Sequence, residues 1–356
     1  MRGIAARCLA TGLLLAACRD AGEGGDGLVG GPPRPSRPAE ATCRFDGWAP
    51  DLLPALVLEP LGDAAIPGAT ALAVAAGSGV LYVGTDDGQL LAIDPTQAEP
   101  TPRVLLDGDG LRVTGLAIDG AADEQLFVRR EQLSPSRTQV LRYGLSDAFT
   151  LDPATSLEVI RIPHALPARV GAGLVAGEGL LWVPLGDGAD GEAVGPAEDP
   201  EYRPGNLLRL DVAELTEPLA YGIPADNPYA DATGAAAETW AVGLRDPAGC
   251  AVDGARERVW CADAAAFGSE ANLVPAAADL GWPRFDGPTC LVETGCEALE
   301  QTAPAGWVRF GEDDCGVGAM ALADGMDPGL DGALVYADRC SGRVFAARPG
   351  EAPTDP

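Results

Sequence analysis

One phrase recurs along the chain and limits its fold more than any other feature: an apolar strand, a turn, a strand ending in an aromatic residue, a second turn and a third apolar strand. It is seen at Val80-Leu81-Tyr82-Val83 with Leu90 to Asp94, and at Leu126-Phe127-Val128 with Val140 to Tyr143. It returns at Leu181-Trp182-Val183 with Leu207 to Asp211, at Val259-Trp260-Cys261, and at Val335-Tyr336 with Arg343-Val344-Phe345. Short strands with Gly, Asp and Pro between them, at the period of one four-stranded sheet, are the signature of a β-propeller. Amphipathic helical runs are nearly absent. A β-sandwich explains less well why the same strand-turn-strand unit keeps its aromatic position. The expectation is an all-β propeller with long insertions at Gly186 to Gly205 and Tyr221 to Ala237, the kind of loops that build a site on one face.

Charge and residue types narrow the chemistry. There are 24 basic and 53 acidic residues, a net charge of -29, and a single histidine. Every basic residue is an arginine, so Schiff bases and the lysine-dependent phosphate loop are excluded, as is a site of several histidines. An excess of negative charge this large opposes binding to nucleic acid or to anionic lipid, because no counterions would be released. With 47% hydrophobic residues the chain still has enough apolar surface for a proper core.

The start of the chain points to export. Arg2 and Arg7 precede an apolar run centred on Leu13-Leu14-Leu15, too short to span a bilayer, and Leu15-Ala16-Ala17-Cys18 follows. Small residues directly before a cysteine resemble a bacterial lipobox, so residues 1–17 read as a lipoprotein signal peptide with Cys18 as the lipidated residue. Residues 18–42, rich in Gly and Pro, read as a flexible tether, and residues 43–356 as the propeller domain. The expected place is the bacterial cell envelope, with the membrane touched only through the lipid anchor. An oxidising compartment favours disulfides. Cys250 and Cys261 flank a short hairpin pattern, and Cys290 and Cys296 lie close in a turn-rich stretch. Irregular spacing and the lack of any CxxC argue against zinc.

Several segments then fall in a known order. Leu185-Gly186-Asp187-Gly188 is followed by Pro204-Gly205-Asn206 with Leu207 to Asp211, and then by Ile223-Pro224-Ala225-Asp226-Asn227-Pro228-Tyr229. Next come Glu238-Thr239-Trp240, Gly243-Leu244-Arg245-Asp246-Pro247, Ser269-Glu270-Ala271-Asn272-Leu273, Leu280-Gly281-Trp282-Pro283 and Asp338-Arg339-Cys340-Ser341-Gly342-Arg343. Together, over residues 164 to 347, they resemble the soluble quinoprotein glucose/sorbosone dehydrogenases, six-bladed propellers that use pyrroloquinoline quinone (PQQ) and calcium. The resemblance implies six blades. It also implies that ring closure draws on residues 50 to 60 or leaves the last blade incomplete, because the family's closing segment is missing before Pro356.

The implied chemistry is oxidation of a small sugar or polyol, with electrons passing to an acceptor. A histidine takes the hydroxyl proton while hydride passes to the quinone. His164 is the candidate base, although ungapped alignment on Leu174 puts Arg169 at that position. Arg245 stands where the family's arginine meets a cofactor carboxylate, with Asp246 beside it in place of an asparagine. Calcium would take the carbonyls of Ala264 and Ala265, with Glu270 and Asp187 as nearby carboxylates. The family's cysteine pattern implies disulfides Cys290 with Cys296 and Cys315 with Cys340. Asp246, and Asp324 in place of a family cation, keep a second possibility open: a catalytically degenerate propeller acting as a cell-surface binding module. A lactonase-like, calcium-dependent hydrolase is a third.

Overall fold

The computed structural model describes residue 61 and residues 65–119, 125–190, 196–213, 220–254, 258–264, 269–286, 289–292, 308–309, 317–323, 331–338 and 344–347. Five antiparallel blade sheets follow one another along the chain. Blade 1 is Ala69–Val74, Leu81–Thr85, Leu90–Ile93 and Arg103–Leu106. Blade 2 is Arg112–Asp119, Gln125–Leu133, Ser136–Asp147 and Leu157–Pro163, with the short Thr150–Leu151 added to its third strand. Blade 3 is Val175–Gly177, Leu180–Pro184, Leu207–Asp211 and Thr239–Ala241. Blade 4 is Pro247–Asp253, Arg258–Asp263, Glu270–Leu273 and Val308–Arg309, and blade 5 has the three strands Val317–Ala323, Ala333–Asp338 and Val344–Ala347. The propeller architecture is therefore present. Among the described residues it counts five blades, the last with three strands, and residues 1–60 lie outside that set.

The recurring phrase occupies the second and third strands of the blades. Its aromatics Tyr82, Phe127, Trp182, Trp260 and Tyr336 all sit on second strands and are all buried. Tyr82 packs between blades 1 and 2, Phe127 between 2 and 3, Trp182 between 3 and 4, and Trp260 with Tyr336 between 4 and 5. Burying each ring is worth about 2 kcal/mol, so one aromatic per blade supplies much of the adhesion between neighbours.

At the hub the opposite rule holds. A Cβ on Gly115 of blade 2 would stand 2.7 Å from the carbonyl carbon of Gly173, and one on Gly173 would stand 2.8 Å from the Cα of Gly249 in blade 4. The innermost segments approach backbone to backbone, which only glycine permits. They enclose an axial cavity of about 150 Å³ whose wall includes Thr70, Gly115, Gly173, Gly249 and Gly318, from all five blades. Among the described residues no helix is long and apolar enough to cross a membrane.

Candidate functional site

Four connections meet on one face of the ring: residues 164–173 between blades 2 and 3, residues 185–190 after the second strand of blade 3, residues 243–246 between blades 3 and 4, and Ala264 after the second strand of blade 4. Backbone hydrogen bonds tie them together. Gly186 donates to Val170 O (3.1 Å), Asp187 to Arg245 O (2.9 Å), Gly188 to Arg169 O (3.0 Å) and Ala264 to Asp246 O (3.1 Å). The Gly186-Asp187-Gly188 turn is glycine for a reason: a Cβ on Gly186 would lie 2.0 Å from Arg169 O and 2.9 Å from Arg245 O.

Asp187 is buried at the centre of this meeting point. Its carboxylate receives Arg169 Nε at 2.9 Å and a second Arg169 nitrogen at 3.1 Å, Trp282 Nε1 at 2.8 Å and the amide of Ala189 at 3.1 Å. Two guanidinium groups stand over the Trp282 ring, Arg169 at 5.5 Å and Arg245 at 5.1 Å from its centroid. Each contact of this kind adds about 1 kcal/mol. Arg245 is half-buried. It donates to Ala264 O at 2.9 Å, and its Nε is buried with no hydrogen-bond partner among the described residues.

The turn carrying Arg245 is fixed from below. Buried Asp263 accepts the backbone amides of Arg245 (2.8 Å) and Asp246 (2.7 Å). Burial, with Glu270 and Asp246 nearby, pushes the Asp263 carboxyl up to about 8 against the pull of those two amides. Asp246 turns its own carboxylate to the amide of Gly171 (3.2 Å), so it braces the neighbouring loop.

His164, at the end of the last strand of blade 2, is 7% exposed. Its Nε2 lies 2.7 Å from Thr138 Oγ1, and its Nδ1 is buried without a partner among the described residues, next to Gly188. Burial first, and the Arg129 charge second, lower its pKa to about 4, so the ring is neutral at pH 7. Behind it stands Arg129, 0% exposed, whose guanidinium donates to Glu131 and to the carbonyls of Pro184, Val170 and Gly171. Nothing in the sequence marked Arg129, Glu131 or Thr138. Trp282 stood within a quoted phrase, but without a role.

The segments that carried the resemblance divide between site and scaffold. Gly186 to Gly188 and Arg245 belong to the site, whereas Asn227 is a brace, its amide donating to Arg209 O (3.0 Å) and Ala237 O (3.1 Å). Arg209 in turn stacks against Trp182 and Trp240. Cys250 and Cys261 face each other on paired strands of blade 4 and are bonded. Cys290 is also disulfide-bonded, and its partner lies outside the described residues, as do Cys18, Ala265, Cys296, Cys315 and Cys340.

The fit of the two expected cofactors differs. A planar polycarboxylate suits Arg245, with an unpartnered Nε on a guanidinium laid against an indole. Calcium does not suit the donors expected for it: Ala264 O accepts a guanidinium, and both Asp187 oxygens are engaged by Arg169, with Trp282 on one of them. Among the described residues no group of three or more His, Cys, Asp or Glu is arranged to hold a metal. Of the oxygens expected for calcium, those of Ala264 and Asp187 thus meet guanidinium groups in this structure, and Ala265 lies outside the described residues.

The glucose/sorbosone dehydrogenase family profile matches residues 66–302. The chain is 27% identical over 194 residues to the HIPL1 protein of Arabidopsis thaliana, covering 48% of this chain and 28% of that protein. It is 32% identical over 109 residues to the aldose sugar dehydrogenase YliI of Escherichia coli, covering 30% and 26%. It is also 32% identical over 122 residues to the Hedgehog-interacting protein of Mus musculus, covering 32% and 17%. The matched parts thus span 28% or less of these relatives' own length. Among solved structures, the PQQ-bound aldose sugar dehydrogenase of Streptomyces coelicolor has the same fold, with a TM-score of 0.64 at 19% identity over 85% of this chain and 83% of that one. The apo soluble aldose sugar dehydrogenase of Escherichia coli gives 0.58 at 19% identity, over 79% and 86%. With its profile match extending across blades 1 to 3 and the first three strands of blade 4, the chain belongs to the glucose/sorbosone dehydrogenase family.

Proposed function

We propose that this protein is an exported, lipid-anchored oxidoreductase that uses PQQ to oxidise a sugar or polyol, with Cys18 as its anchor and an external electron acceptor. The observation that carries the reading is Arg245: a half-buried guanidinium, laid on Trp282 and carrying a partnerless Nε, is prepared for a carboxylate. PQQ, when bound, supplies the hydride acceptor. Arg245 would bind one of its carboxylates, Trp282 stands beneath that guanidinium, and Asp263 fixes the turn from which it projects. His164 holds a lone pair for the substrate hydroxyl proton. Asp187 neutralises Arg169, so a cation at that position stays compatible with a neutral sugar.

A second reading rests on separate observations. The oxygens of Ala264 and Asp187 that resembled calcium ligands meet guanidinium groups, and Asp246 stands beside Arg245. These features favour a cell-surface binding module, and the Hedgehog-interacting protein, named for a protein partner, is among the relatives.

Titration of purified protein with PQQ, with and without calcium, tests the choice. Saturable binding that Arg245→Ala weakens by 100-fold or more, on the order of 3 kcal/mol for a lost carboxylate partner, together with sugar-dependent dye reduction, is the expected outcome. Saturable sugar binding with no dye reduction by the quinone-loaded protein selects the binding module instead.

A further inference from the structure

The buried polar chain behind His164 has a definite direction. Glu131, 4% exposed, accepts Arg129 Nε at 2.8 Å and Thr114 Oγ1 at 3.1 Å on one oxygen, and Thr138 Oγ1 at 2.8 Å on the other. Burial raises its pKa, while Arg129 and the hydroxyl donors act against that rise. A carboxyl that faces a guanidinium and two hydroxyls is in an acceptor's position. Thr138, itself fully buried, has a single hydroxyl proton, and Glu131 takes it. At 2.7 Å from His164 Nε2, Thr138 must then accept, so the proton of the neutral imidazole sits on Nε2.

Nδ1 is therefore a lone pair pointing away from this chain of bonds. It is buried and has no hydrogen-bond donor among the described residues. The amides around it are already engaged, Gly188 N with Arg169 O and Ala189 N with Asp187. A buried acceptor without a donor costs about 1–3 kcal/mol, which a native fold seldom leaves uncompensated. The missing donor is a neutral one, because the Arg129 charge beside the ring disfavours an ammonium. Gly188 lies over the ring with φ +64°, and a Cβ there would come within 3.0 Å of Nδ1. A methyl group at this position would press on Nδ1.

We propose that Glu131 and Thr138 are positioning residues that lock His164 in its Nε2–H tautomer, so that Nδ1 accepts a hydrogen bond from a hydroxyl of a bound sugar or polyol. This deepens the sugar-oxidation reading by naming the nitrogen that meets the substrate, and it holds equally for a protein that binds sugar without oxidising it.

The single histidine makes the test direct, since a two-bond 1H–15N correlation on labelled protein contains one imidazole. The expected wild-type spectrum is that of a fixed Nε2–H ring. D-Glucose or sorbitol should shift the Nδ1 resonance, and Gly188→Ala should suppress that shift while leaving the tautomer alone. Thr138→Val should release the ring into a mixture of tautomers and weaken sugar binding about tenfold, whereas Thr138→Ser should keep both properties. An Nδ1–H tautomer in the wild-type protein, or an Nδ1 resonance that no polyol moves, overturns the proposal, and neither measurement requires Thr138→Val to fold. A sugar-sensitive Nδ1 in a protein that reduces no dye leaves the proposal standing and removes only the oxidation reading.

Discussion

Arg129 holds a guanidinium where no water reaches it, and the identity of its partners explains why that is tolerable. One carboxylate and four backbone carbonyls, those of Val170, Gly171, Gly173 and Pro184, take its donors, so a single side chain of blade 2 fastens the start of blade 3. Removing one member of such a pair leaves the other charge buried and alone. Arg129→Met is expected to destabilise by about 3–5 kcal/mol, and adding Glu131→Leu to recover much of it, as read from urea denaturation of the three proteins. Neither residue was legible in the sequence. Arg129 and Glu131 sit two apart in a strand and read as solvent-facing charges, since whether a strand face meets water depends on what packs over it. His164 carries a second prediction. Its folded pKa is near 4 against 6.5 for a free imidazole, so the unfolded chain binds the proton first as pH falls. The contribution is complete above pH 6.5 and is lost towards pH 4, about 3 kcal/mol in all. Stability curves of wild-type protein and His164→Gln, measured from pH 7.5 to 4, should differ in slope over that window.

At the scale of strands and blades, what the sequence revealed and what it hid have one physical cause. Second and third strands were readable because they are sandwiched between blades and need large apolar side chains, as Leu81-Tyr82-Val83 and Leu181-Trp182-Val183 show. The innermost strands were nearly invisible, because crowding at the hub selects glycine, a residue with poor strand preference, as at Gly115 and Gly173. Outer strands such as Arg103–Leu106 are half exposed and carry little pattern. Arg245 could be found from its Gly-Leu-Arg-Asp phrase. The indole it lies on comes from 37 residues further along, a pairing that only tertiary structure defines. The Cys250–Cys261 bond closes the first hairpin of blade 4, with a sequence separation of 11. Replacing both cysteines by alanine should cost on the order of 2 kcal/mol, seen as a lower denaturant midpoint measured without reductant.

Taken as a whole, the molecule joins two opposite electrostatic characters. The chain carries a net charge of -29, yet the meeting point of its site loops holds two guanidinium groups against one indole. At a distance an anion meets the body of the protein and is repelled. Within a few ångströms it would meet Arg245, the carboxylate partner proposed above. Added salt shortens the reach of the repulsion, the screening length being about 10 Å at 0.1 M, and weakens the local attraction much less. A ligand bearing carboxylates is thus expected to associate faster as salt rises from low levels, whereas a neutral sugar keeps one rate throughout. Stopped-flow traces of tryptophan emission with each ligand measure this. The two guanidinium groups over Trp282 would also make the indole an optical gauge: a carboxylate that draws Arg245 away from the ring is expected to change the field at the indole, so that the arrival of an anion is read as a change of colour and intensity from within the site itself.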